Sequence, residues 1–360
     1  MIIIPFSLNV NFHQHVLIRN CMVYNTKVLF ESGGIILNIF FILLGITILI
    51  AALILLTSYI CFRIVFYVPR KNEFLSEELP VPAGKIYEPY HDLMRHWIKE
   101  ARGFKSEDFY IKSHDGLTLH AKYFEYEPGA VMEIMFHGYR GSAERDLSGG
   151  IQRCFALGRS VLLIDQRTSC GSEGNVISFG INEHRDCLAW VDFAVKHFGP
   201  EIKIILTGIS MGASTVLMAA GKPLPKNVVG VLSDCGFSSA KEIIKKCARD
   251  LKLPADLIYP FIKLGAKLYG HFDLEEYTPL QAMETCKLPV IFFHGESDVF
   301  VPCDMSRECY EACKAPKRLV TVPKAGHGLV YVIDNDLYFN SVVEFFSENG
   351  IPTKLHKKPM

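Results

Sequence analysis

The stretch Lys203-Ile204-Ile205-Leu206-Thr207-Gly208-Ile209-Ser210-Met211-Gly212-Ala213-Ser214-Thr215-Val216-Leu217-Met218-Ala219-Ala220 decides the reading of this chain. A strand-like run enters a turn of the form G-x-S-x-G, and a helix of small residues follows at once. Composition alone produces that pattern in about one chain in ten of this size, so its weight comes from its setting. A sharp turn between strand and helix admits only small residues where backbones crowd. It leaves the serine hydroxyl exposed beside a helix N-terminus, where developing negative charge is favoured. Ser210 is the candidate nucleophile.

A serine hydroxyl attacks poorly near neutral pH without a base. Among 13 histidines, His327 in Pro323-Lys324-Ala325-Gly326-His327-Gly328 follows the apolar run 318–322. A flexible Gly-His-Gly loop can aim an imidazole at a neighbouring strand end. His327 also stands last in the order Ser, Asp, His. Asp298, in Phe293-His294-Gly295-Glu296-Ser297-Asp298, is the candidate acid that would hold the imidazole tautomer and stabilise the imidazolium. Asp234 and Glu296 are its rivals; the loop-like Val301-Pro302 that leads into the next helix favours Asp298. An oxyanion needs two backbone N–H donors. Met211 supplies one as the residue after the nucleophile, and Tyr139, within His137-Gly138-Tyr139-Arg140-Gly141, is chosen by position for the other. His137 is read as a brace for that loop. Asp165-Gln166-Arg167 reads as an ion pair holding loops near the site, with a substrate clamp as the alternative.

Outward from this centre, short apolar runs bounded by turn residues occur at 131–136, 160–165, 202–207, 228–233, 289–294 and 318–322. Such runs suit strands of a parallel sheet buried on both faces. Helical patterns lie between them at about 144–157, 182–197, 211–221, 303–314 and 337–349. The alternation predicts an α/β fold with a mostly parallel sheet and helices on both faces. His114-Asp115-Gly116 between apolar runs predicts a hairpin ahead of the sheet. Residues 237–286 are too long for an ordinary crossover. They read as a helical insertion over the sheet's C-terminal edge, broken at Pro254, Pro260 and Pro279.

Upstream, Ile35 to Phe62 carries no charged residue. A bilayer core needs about 20 apolar residues, so this stretch predicts one transmembrane helix. It is too long for a signal peptide, and Ser58-Tyr59-Ile60-Cys61-Phe62-Arg63 makes a poor cleavage site. Residues 1–34 show no clear periodicity. Residues 63–104 read as a linker, Asn72 to Lys85, followed by an amphipathic helix with Leu93, Met94, Trp97 and Ile98 on one side. The alternating strand and helix pattern fills 105–350, and 351–360 is a tail.

The chain has 360 residues, 38 basic and 38 acidic, and 49% apolar. No basic excess points to nucleic acid. Eleven cysteines show no disulfide framework and no C-x-x-C pair, which suits a reducing compartment and argues against structural zinc. Arg63, Arg70 and Lys71 follow the apolar stretch closely and Arg19 and Lys27 precede it, a balance that leans slightly the same way, toward a cytoplasmic C-terminal domain. No metal or organic cofactor is implied.

With these pieces assembled, the chain resembles the α/β-hydrolase superfamily, and within it the serine aminopeptidase (S33)/lysophospholipase-like group, including membrane-anchored bacterial hydrolases. The resemblance covers about residues 105–350. It rests on His137-Gly138-Tyr139-Arg140-Gly141, Asp165-Gln166-Arg167 with Gly171-Ser172-Glu173-Gly174, Gly208-Ile209-Ser210-Met211-Gly212, His294-Gly295-Glu296-Ser297-Asp298 and Gly326-His327. One departure is Gln166-Arg167-Thr168-Ser169-Cys170-Gly171, where relatives commonly carry a His-Gly pair after the Arg; it bears on local loop contacts and not on the triad. The expected activity is hydrolysis of a carboxylic ester, a lipid or acyl ester foremost, under a cap bearing Leu257, Ile258, Phe261 and Ile262; those residues packing on the core is the alternative. Peptidase action needs an acidic pocket for the substrate amine, and the sequence identifies none. A third reading is a membrane-tethered binding module that uses the fold without catalysis.

Overall fold

The computed structural model describes residues 10–69, 79–353 and 355. Part of the expected linker, the first nine residues and most of the 351–360 tail lie outside the described residues. The chain divides between Thr57 and Ser58 into two units.

Helix α1 runs from Val10 to Val65 and begins well ahead of the apolar stretch. It contains a window of mean hydropathy 3.2, long and apolar enough to cross a membrane. The second unit takes in the last two turns of α1. After a short 3-10 turn at Glu88–Tyr90, α2 (His91–Gly103) buries Met94, Trp97, Ile98 and Ala101 on one face. Strands β1 (Glu107–Lys112), β2 (Thr118–Phe124) and β3 (Val131–Phe136) follow, then α3 (Ala143–Ala156), β4 (Arg159–Asp165), α4 (Glu183–Phe198), β5 (Ile204–Ile209), α5 (Met211–Ala220) and β6 (Val228–Asp234). Next come α6 (Ala240–Asp250), α7 (Ala255–Tyr269), α8 (Pro279–Thr285), β7 (Val290–Gly295), α9 (Cys303–Ala312), β8 (Lys317–Val322), α10 (Val330–Ile333) and α11 (Asn335–Glu348).

The eight strands form one sheet in the order β1-β2-β4-β3-β5-β6-β7-β8. β2 is antiparallel to both neighbours, and β4 through β8 pair in parallel. β3 and β4 are buried at every residue, as strands sandwiched between helix layers must be. On one face Trp190 and Val191 of α4, Val216 and Leu217 of α5, Met283 of α8 and Cys309 of α9 close a core. On the other, Trp97 of α2 and Phe339, Val342 and Phe346 of α11 form a second, and Leu147, Ile151 and Cys154 of α3 contribute a third. This is the α/β fold read from the alternation of apolar runs and helical patterns.

Pro260 does not break the insertion: it lies inside α7. Its ring fixes a helical φ and forfeits one backbone hydrogen bond. The packing of Tyr259, Ile262 and Ala266 with Phe62 and Phe66 offsets that loss. The expected hairpin is β1–β2, and Ser113 closes its turn by accepting from the Leu117 N–H at 2.8 Å.

One feature of β3 was not foreseen: Glu133 is fully buried in the middle of the sheet. It bonds Arg159 at 2.5 Å, Thr207 at 2.8 Å, and Arg153. Burial alone would raise its pKa, but Arg153 and Arg159 outweigh that and lower it to about 2. Glu133→Gln leaves two buried guanidiniums facing a neutral amide. The expected cost is about 3–5 kcal/mol, read from urea unfolding at pH 7. A loss below about 1 kcal/mol would show that the network carries no stability.

Candidate active site

In a wound α/β sheet, ligands gather beyond the carboxyl ends of the strands. The candidate residues lie there: Tyr139 after β3, Ser210 after β5, Asp234 at the end of β6, Asp298 after β7 and His327 after β8. Ser210 sits between strand and helix with φ 56° and ψ −121°, a conformation that non-glycine residues avoid. The flanking glycines make the turn possible. A Cβ on Gly208 would strike the Gly212 carbonyl, and one on Gly212 would strike the Phe136 carbonyl of the adjacent strand.

The structure brings together three of the residues named from sequence. Ser210 Oγ lies 2.9 Å from His327 Nε2, and His327 Nδ1 lies 2.7 Å from Asp298 Oδ2. A carboxylate only accepts, so Nδ1 carries the proton and Nε2 is free to accept from the serine hydroxyl. Asp298 also accepts from the N–H groups of Phe300 and Val301 at 2.8 and 2.9 Å. His294 Nε2 approaches its Oδ2 at 3.3 Å. Burial would raise the Asp298 pKa, but hydrogen bonds from His294 and His327 and the Val301 N–H hold it well below the usual carboxylate range. It is thus a fixed anion behind the imidazole.

The rivals are placed elsewhere. Glu296 is half exposed and accepts from the Thr321 hydroxyl at 2.7 Å. Asp234 is buried beneath the site with one carboxylate oxygen unpartnered. Burial raises its pKa to about 6, against the pull of His294, His327 and Arg153. An aspartate titrates near 3.9 when unfolded. The folded chain therefore holds this proton more tightly, and stability present below about pH 4 is lost as pH rises through 6. The loss is about 3 kcal/mol. Asp234→Asn removes it, so the variant should gain stability relative to wild type between pH 4.5 and 7.5. An equal difference in unfolding midpoint at both pH values would contradict this.

The loop after β3 passes directly beside the nucleophile: a Cβ on Gly138 would lie 3.4 Å from that of Ser210. Among the described residues, no hydrogen bond engages the N–H of Tyr139 or of Met211. His137 holds this loop from below. Its Nδ1–H donates to Gly138 O at 2.8 Å, and its Nε2 accepts from the Gln166 N–H at 3.1 Å. That arrangement needs a neutral ring, in line with burial lowering its pKa. Asp165 and Arg167 do not pair with each other. Asp165 accepts from His120 at 2.7 Å, and Arg167 binds Asp186 at 2.7 Å and Asp115 at 3.0 Å. Both act as loop braces.

A cavity of about 580 Å³ opens beside Ser210 and His327. Its wall is largely apolar, with Met94, Trp97, Leu232 and Tyr331 among the lining residues. The insertion does not line it. Ile258 and Ile262 pack with Phe62 and Phe66, and Leu257 faces solvent. The wall comes instead from Pro82 to Tyr87, in the stretch read from sequence as a linker and the start of a helix. Tyr87 donates from its hydroxyl to the His327 carbonyl at 3.0 Å. The apolar pair Ile86-Tyr87 was the only signal in that stretch.

Among the described residues, two groups of side chains have the donor types of a metal site: Cys235, Asp298 and His327, and His114, Asp115 and Asp186. In the first, Asp298 and His327 already bond each other, and burial pushes the Cys235 thiol well above its usual range. In the second, Arg167 occupies both carboxylates.

The alpha/beta hydrolase fold family matches residues 134–259. An uncharacterized Bacillus subtilis protein, YqkD, is 24% identical over 316 residues, covering 87% of this chain and 99% of that one. The Schizosaccharomyces pombe protein bem46 is 24% identical over 225 residues, 61% of this chain and 68% of its own. Among solved structures, the Pyrococcus furiosus esterase Pf2001 superposes with a TM-score of 0.58 at 22% identity, covering 75% of this chain and 96% of that one. The fold is that of the α/β hydrolases, and residues 134–259 resemble that family.

Proposed function

We propose that this chain is a membrane-anchored serine hydrolase that cleaves a carboxylic ester. The observation that carries the reading is the relay of Ser210, His327 and Asp298 at 2.9 and 2.7 Å, with Ser210 held in a strained turn facing a cavity. Ser210 attacks the ester carbonyl while His327 takes its proton, and the N–H groups of Met211 and Tyr139 receive the oxyanion. The alcohol leaves with that proton. Water, activated by His327, then releases the acid from the acyl-enzyme. The apolar wall and the exposed Ile86, Val299 and Phe300 near the mouth favour an acyl chain over a charged substrate.

The anchor reading rests on α1, and a cytoplasmic catalytic domain is the orientation that the flanking charges favour. The S33-like peptidase reading gains one observation, the carboxylate of Asp234 on the cavity wall. Its raised pKa leaves it a weak amine partner in mildly acid solution. The test is a series of p-nitrophenyl esters against aminoacyl p-nitroanilides, using the full chain in lipid. Ester turnover that rises from acetate to medium-chain acyl groups is expected. Turnover of anilides in preference to esters would replace this reading with the peptidase one.

A further inference from the structure

On the far side of the oxyanion loop lies a second cavity, of about 660 Å³. It is bounded by the end of α1, by the loop after β3 and by the loop after β4. Among the described residues, Arg63, Arg140 and Arg167 line it, and no carboxylate does. Asp115 and Asp186 already neutralise Arg167. Arg63 and Arg140 form no ion pair among the described residues. Both are nonetheless held in place. The Arg63 guanidinium lies over the Tyr67 ring at 3.9 Å and donates to the Tyr59 hydroxyl at 3.1 Å. Arg140 donates through Nη2 to the carbonyls of Ile64 and Tyr67 at 2.8 and 3.2 Å. Among the described residues, no partner takes up the remaining N–H donors of either.

Two ordered guanidinium groups on a cavity with no opposing acid among the described residues make an anion receptor, and their planar forks match phosphate oxygens. We propose that this cleft binds a phosphate group through Arg63 and Arg140. An anionic lipid headgroup and free phosphate share that chemistry. Under the anchored reading above, on which the lipid source rests, Arg63 is the first charged residue after the span and stands at headgroup level. The cleft also adjoins catalysis. Tyr139 donates from its hydroxyl to the Val65 carbonyl at 2.6 Å, Gly138 lines both cavities, and Met211 lines the second. A ligand that fastens Arg140 to Arg63 therefore steadies the backbone that carries the proposed oxyanion donors.

The test uses the full chain carrying Ser210→Ala, so that no ester is consumed, in an uncharged maltoside detergent. Its unfolding midpoint is followed against dihexanoyl phosphatidate, dihexanoyl phosphatidylcholine and inorganic phosphate at constant ionic strength. At a hundredfold excess over Kd, phosphatidate should raise the midpoint by about 4 °C. Phosphatidylcholine should raise it far less. An equal rise with inorganic phosphate keeps the phosphate site and assigns the free anion as its source. Adding Arg63→Gln or Arg140→Gln should remove at least half of the rise. No rise with either phosphate, or the same rise in both variants, overturns the proposal. Because binding is read without turnover, failure here leaves the ester-hydrolase reading untouched, and the reverse also holds.

Discussion

Replacing Ser210 with alanine is expected to lower kcat for a p-nitrophenyl ester by roughly 10⁵–10⁶-fold while the unfolding midpoint stays within a few degrees. Removing the nucleophile of a serine triad eliminates the covalent route, and the residual rate comes from binding and oxyanion donors alone. Fold and activity separate here because, among the described residues, the hydroxyl's one hydrogen-bond partner is His327. Alanine at φ 56° has the same backbone strain as serine. A variant that keeps more than about a hundredth of the wild-type rate would mean that another group does the chemistry.

The second large effect concerns the acid. Asp298→Asn should cost about 10⁴-fold in kcat. The amide can donate to Nδ1 and so stabilise the tautomer whose Nε2 carries the proton, leaving Ser210 without a base. Two neighbouring carboxylates provide the controls. Glu296→Gln should change the rate less than about threefold, because that side chain bonds Thr321 and not His327. Asp234→Asn should alter the pH dependence of stability far more than kcat. If Asp234→Asn proved the costlier change, the acid would stand on β6 and the 2.7 Å contact of Asp298 with His327 would be structural.

These expectations trace back to features that differ in how far the chain alone shows them. The central strands are legible because each is a short apolar run closed by turn residues, and only a sheet covered on both faces tolerates that. The serine turn is legible because its two glycines are forced by backbone carbonyls within van der Waals reach. Three things were not legible. Glu133 breaks an apolar run, and its partners Arg153 and Arg159 lie 20 and 26 residues away, so nothing local marks it as a buried ion. Pro82 to Tyr87 has the composition of a linker, yet it walls the cavity because the Tyr87 hydroxyl ties it to the His327 carbonyl. The stretch before Ile35 lacks a period, and its residues 17–34 are all exposed, so no core selects an apolar face there.

The arrangement also explains why the end of α1 belongs with the second unit. Phe62 and Phe66 are buried against Phe179, Phe272 and Ile262, and the Ile177 N–H donates to Phe66 O at 2.9 Å. A chain begun after this segment would lose those contacts and expose the loop carrying Tyr139.

The most direct test of the central claim is covalent. The full-length protein in lipid is treated with a fluorophosphonate and digested, and the adduct is located by peptide mass spectrometry. The account predicts a single phosphonylated residue, Ser210, and no label after Ser210→Ala. Labelling elsewhere, or a folded protein that takes no label in lipid, would contradict it.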